Sequence, residues 1–145
     1  MKGKTMAKRS WLFLVAGLVL GASLQHTLAA GTEPAGKVFE IRTYHTLPGR
    51  LDALHKRFRE HTMKIFEKHG MSNVGYWVPQ DNPDHENTLI YVISHASREQ
   101  AKANWAAFVA DPEWKKVAED SQKDGKIIDH IDSVFVDATD YSPIR

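Results

Sequence analysis

The chain has 145 residues and no cysteine, and its 19 Lys and Arg nearly balance 18 Asp and Glu, for a net charge of +1. A chain of this length supports one ordinary domain with its own core, and without cysteine that domain carries no disulfide. No Lys/Arg cluster with interleaved aromatics occurs, so the electrostatic footprint of a nucleic-acid binder is missing.

The amino terminus differs in kind from the rest. Lys2, Lys4, Lys8 and Arg9 precede an uncharged run from Trp11 to Leu24, followed by small residues at Thr27, Ala29 and Ala30. This is the pattern of a secretory signal peptide over residues 1–30, with cleavage expected near Ala29 or Ala30. The run is shorter than the roughly 20 apolar residues of a membrane span, so no stable span is expected after cleavage, and the domain is expected to be periplasmic or secreted. An uncleaved anchor is the alternative. Residues 1–30 carry four basic groups and no acidic one, so their removal shifts the net charge from +1 to −3. No cysteine follows the run, which excludes a thioether lipid anchor.

Residues 31–37 read as a flexible leader. Val38 to His45 alternates β-branched or aromatic residues with charged ones, which predicts a strand. Leu47-Pro48-Gly49 then opens a helix in which Leu51, Leu54, Phe58 and Ile65 recur at helical spacing, until Gly70 ends it. Met71 to Val78 and Thr88 to His95 predict two strands, joined as a hairpin across the turn-rich Pro79 to Asp84. Ser97 and Gln100 form a capping box ahead of Ala101, Trp105 and Phe108 on one helical face. Asp111-Pro112 restarts the helix as an N-cap with a first-turn proline, placing Trp114, Val117, Ala118 and Ser121 on one face. Ile127 to Ala138 predicts the last strand.

The order βαββαβ is that of a ferredoxin-like α+β domain, a four-stranded antiparallel sheet with its helices on one face. The other face is left bare. A face carrying large side chains such as Tyr44, Trp77 and Tyr91 is not simply solvated, and a second copy of the chain is the expected cover.

Several motifs occur together. They are Phe39-Glu40-Ile41-Arg42-Thr43-Tyr44, Pro48-Gly49-Arg50-Leu51-Asp52, Phe58-Arg59-Glu60-His61, Glu67-Lys68-His69-Gly70, Val74-Gly75-Tyr76-Trp77, Asn87 with Leu89-Ile90-Tyr91, Asp111-Pro112-Glu113-Trp114 and Tyr141-Ser142-Pro143. In this sequence order they resemble the NIPSNAP family, and the resemblance runs over residues 38–143. It implies a dimeric α/β barrel, in which two ferredoxin-like subunits pack sheet to sheet around a pocket. Members of the family are linked with vesicle traffic and mitochondrial quality control, a setting from which an amino-terminal export signal separates this chain. Related barrels include cofactor-free oxygenases and haem-degrading enzymes, which supply an enzyme reading by analogy.

Strand parity sorts the first strand into Phe39, Ile41 and Thr43 against Val38, Glu40, Arg42 and Tyr44. The first set suits the helices and the second the barrel. There Glu40 and Arg42 form either an ion-pair network or a grip on an anionic ligand, and Tyr44, Trp77 and Tyr91 form aromatic walls or interface packing. His45 and His95 end two strands and are expected to meet at the barrel mouth, where one would move a proton. The seven histidines beyond the expected cleavage site, His45, His55, His61, His69, His85, His95 and His130, lack the i, i+4 spacing of a chelate, so no metal centre is expected, and no cofactor motif is present. The leading expectation is an exported homodimer that binds a small-molecule ligand or a protein partner. The runner-up is a cofactor-independent oxygenase or isomerase for a small aromatic or enol-like substrate, with Arg42 on its oxyanion.

Overall fold

A computed structural model describes residues 36–81 and 83–145. The expected signal peptide, and the leader apart from Gly36 and Lys37, lie outside these residues. The chain runs β1 (Val38–Thr46), α1 (Leu51–Arg57), a π-helical turn (Phe58–Thr62), α2 (Met63–Lys68) and β2 (Ser72–Trp77). A 3₁₀ turn (Asp84–Glu86) leads into β3 (Thr88–His95), followed by α3 (Arg98–Ala110), α4 (Pro112–Asp120) and β4 (Ile128–Asp137). The sheet is antiparallel in the order β2-β3-β1-β4, the ferredoxin-like arrangement. Among the described residues no helix is long and apolar enough to cross a membrane.

Local chemistry accounts for the boundaries. Ser97 Oγ accepts the Gln100 N–H at 3.1 Å and starts α3, and Asp111 Oδ1 accepts the Glu113 N–H at 2.8 Å and starts α4 one residue after α3 ends. The Gln100 amide turns to Asn104 instead of closing the reciprocal half of the capping box. Gly70 ends α2 with φ of +73°, a left-handed geometry that costs a glycine little. The single helix expected from Leu51 to Gly70 is interrupted by the π-helical turn, where Thr62 Oγ1 donates to the Arg57 carbonyl at 3.2 Å. Such turns often accompany functional sites.

The core lies between the sheet and the helices. Leu54, Phe58, Ile65 and Phe66 of the first helical stretch meet Tyr44, Leu89, Tyr91 and Ile93 of the sheet, with Phe108 of α3 closing the layer. Tyr76 stacks on Tyr91 with ring centroids 5.4 Å apart.

The parity of β1 is as expected, but the faces are reversed. Glu40, Arg42 and Tyr44 point toward the helices, against Trp105 and Phe58, whereas Phe39 and Ile41 border the open face with Val74, Trp77, Val92 and Val136. The expectation placed Glu40 and Arg42 in the barrel lining, and burying charge against the helices is costly. The fold instead buries Glu40 among enough donors to offset that cost.

Candidate functional site

Glu40 on β1 is 1% exposed and is the hub of a polar cluster. Its Oε1 accepts from Arg42 Nη1 and from Ser133 Oγ of β4, each at 2.6 Å. Its Oε2 accepts from Trp105 Nε1 of α3 at 2.7 Å and from His95 Nε2 of β3 at 3.2 Å. Burial pushes the carboxyl pKa up, but the hydrogen bonds from His95, Ser133, Trp105 and Arg42 outweigh it and hold the value down to about 2. A carboxylate only accepts, so the hydrogen facing it belongs to His95 Nε2, and Nδ1 faces Asn104 Nδ2 at 3.4 Å. Asn104 also donates to the Gly70 carbonyl at 3.0 Å, linking the cluster to the end of α2. The Arg42 guanidinium lies 4.4 Å over the Trp105 ring.

The expected site residues are thus divided. Glu40, Arg42, Tyr44, Tyr91 and His95 share the helix-side layer, where the Tyr91 hydroxyl donates to the Tyr44 hydroxyl at 3.0 Å and burial pushes the Tyr91 phenol well above its usual range. Trp77 stands on the opposite face, 52% exposed, with its indole folded over Gly75 so closely that a Cβ there would sit 2.4 Å from the ring. It forms no wall with Tyr44 and Tyr91. Nor do His45 and His95 meet, because β1 and β3 are antiparallel. His45 pairs with Thr88 and His95 with Val38, which puts them seven residues of strand apart, roughly 23 Å.

A second locus was not legible in the sequence. Between α1 and α4 lies a cleft of about 520 Å³ bordered by Arg50, Arg57, Val117 and Ser121. Arg57 is 5% exposed and its guanidinium lies 5.3 Å from the Trp114 ring centroid, yet among the described residues its one hydrogen bond is a long 3.4 Å contact from Nη1 to Ser121 Oγ, and its buried Nε has no partner. No carboxylate among the described residues pairs with it. Burial lowers its pKa from the ordinary guanidinium value, the mark of a cation without its counter-ion. Arg50 Nη2 donates to the Gly125 carbonyl at 3.0 Å, and its Nε is likewise buried without a partner. The only sequence signal was an arginine at a core-facing helical position, one turn after Leu54.

No curated protein matches the sequence. Among solved structures, the chain is similar to a NIPSNAP family protein from Agrobacterium tumefaciens, at 22% identity over 76% of this chain and 95% of that one, with a TM-score of 0.65. A NIPSNAP-like domain protein from Burkholderia xenovorans is similar at 17% identity over 74% and 89%, with a TM-score of 0.64. SnoaB, a cofactor-independent oxygenase from Streptomyces nogalater, shares the fold at 12% identity over 75% and 99%, with a TM-score of 0.50. The NIPSNAP family model matches residues 39–143, nearly all of the described domain. The chain belongs to the NIPSNAP family.

Proposed function

We propose that this chain is an exported homodimeric binding protein that holds a small organic anion in the cleft between α1 and α4. The observation that carries the ligand is Arg57, a buried guanidinium without a carboxylate partner on the border of a cleft whose size suits a small molecule. An uncompensated buried charge is costly, and a carboxylate docked on the planar fork of Arg57, beside the Ser121 hydroxyl, removes that cost. Glu113 and Asp120 on the same rim are already matched by Lys68, Lys116 and Lys123, and Glu60 and Asp124 offset Arg50 and Lys56, which leaves the single charge of Arg57. The rim therefore favours a monoanionic carboxylate over a phosphate dianion.

The dimer is supported by the uncovered sheet face, where Ile41, Val92, Val134 and Trp77 present apolar surface of the kind that subunit interfaces cover. Export is supported by the basic and apolar pattern of residues 1–30. Catalysis by Arg42 with His95 or His45 has less support. Glu40 occupies both Arg42 and His95, and His45 lies at the far end of the strand. SnoaB's chemistry belongs to that protein, and the likeness reaches only the fold.

Native mass spectrometry of the protein recovered from the exported fraction tests the reading. The expected mass is that of two chains cut near residue 30 plus a small acid, and Arg57→Met removes the extra mass while leaving the dimer. A dimer without added mass that also gains no thermal stability from a panel of small carboxylates would refute the ligand. A monomer would refute the assembly.

A further inference from the structure

At the end of the sheet where β1 finishes and β4 begins, three ligand-type side chains meet on the uncovered face. His45 and His130 are direct cross-strand partners, with ring centroids 4.2 Å apart and planes 10° from parallel. Asp132 lies two residues along β4 and so on the same face, with Oδ2 3.3 Å from His45 Nε2. One donor atom from each of the three lies within 4.8 Å of the other two. Behind them, β1–β4 pairing skips Asp129, stepping from His45–His130 to Thr46–Ile128. This irregularity sets the Asp129 carboxylate 2.9 Å from His130 Nδ1.

We propose that His45, His130 and Asp132 form a binding site for a divalent transition-metal ion, with Asp129 as a positioning residue behind His130. Bonds of about 2.0–2.2 Å place tetrahedral ligand atoms roughly 3.4 Å apart, a spacing the His45–Asp132 pair already has. The second imidazole needs only to splay from its stack. With Nδ1–H donating to Asp129, Nε2 of His130 keeps its lone pair for the metal, the carboxylate–histidine arrangement that commonly backs such ligands. Two imidazole nitrogens with one carboxylate oxygen suit zinc, cobalt, nickel or ferrous iron, and not the all-oxygen preference of magnesium or calcium. His130 and Asp132 are exposed, so water completes the coordination shell and the site is of the open type. The site lies two to four residues beyond Ile41 and Val134 on the strands, past the apolar surface assigned to the dimer. It does not depend on the anion cleft.

The test uses the full chain, made without a histidine tag and stripped with a chelator, titrated with Co(II) by visible absorption and with Zn(II) by calorimetry. One ion per chain is expected, with the absorption bands of nitrogen- and oxygen-bound Co(II). His45→Ala, His130→Ala and Asp132→Ala each weaken binding at least about tenfold and Asp129→Ala by less, while His55→Ala and His85→Ala leave it unchanged. His130→Gln and Asp132→Asn repeat the comparison if an alanine variant unfolds. The proposal is overturned if the double variant His45→Ala/His130→Ala binds as tightly as the wild type, if His55→Ala or His85→Ala weakens binding as much, or if the wild type binds no ion below millimolar concentration.

Discussion

Glu40→Gln gives the sharpest test of the buried cluster, because it keeps the side chain's size and removes its charge. The wild-type carboxyl titrates at about 2 in the fold against an ordinary 4.5. A pKa depressed on folding contributes stability that is fully present above the unfolded value and is lost as pH falls through the folded one. About 2.5 units correspond to roughly 3 kcal/mol at neutral pH, of which about 2 kcal/mol is gone by pH 3. Glutamine has no such titration, and its amide sets an N–H₂ against donors that all require an acceptor. Urea unfolding of both proteins between pH 7 and pH 2.5 is the assay. Glu40→Gln should be less stable by about 3 kcal/mol at pH 7, with the gap narrowing by more than half at pH 3. A gap that stays constant with pH would refute the claim that an ionised Glu40 organises the cluster.

The remaining predictions separate binding, capping and assembly. Arg57→Met should raise the stability of the ligand-free protein by about 1–3 kcal/mol in urea melts, because an apolar side chain replaces an unpaired buried charge, while abolishing carboxylate binding. Asp111 caps α4 and also pairs with Lys68 at 2.8 Å and His69 at 2.6 Å. Melting temperatures should therefore fall in the order wild type, Asp111→Asn, Asp111→Ala, since asparagine keeps the cap and loses only the charge. Val134→Glu, a substitution on the exposed sheet face, should give a folded monomer by light scattering, with the emission of Trp77 shifted to the red.

The fold was legible because each element carries its own local signal. The Ser97 and Asp111 caps, the proline after Asp111, the alternation along β1 and the turn residues after Val78 act over three or four residues, and each reappears in the structure. The order of these signals selects one topology among few. The π-helical turn, where the Thr62 hydroxyl meets the Arg57 carbonyl, was hidden because it leaves the apolar spacing of the helix nearly intact. The face assignment failed for another reason. Parity separates two sets of residues without saying which set the helices cover, and a strand with Glu40 and Arg42 on one side invites the inference that this side lines the barrel. Trp105, Ser133 and His95 reverse that inference, and they come from three other elements.

The same reasoning explains why the chemistry was harder to read than the fold. Arg57 becomes a candidate binding group, as proposed above, only because the end of α4 brings Ser121, and among the described residues no carboxylate, against it. His45, 85 residues ahead of His130, becomes its partner only through the β1–β4 register, while the spacing of His130 and Asp132 at alternate strand positions was the one local trace of the proposed ligand set. Sequence spacing detects ligands carried by one element, as on a single helix, and is blind to ligands delivered by two. A small antiparallel sheet joins strands distant in sequence, so its functional groups arise mostly between elements. Histidine or arginine positions without a local partner are then the ones to locate first once the strand order is known.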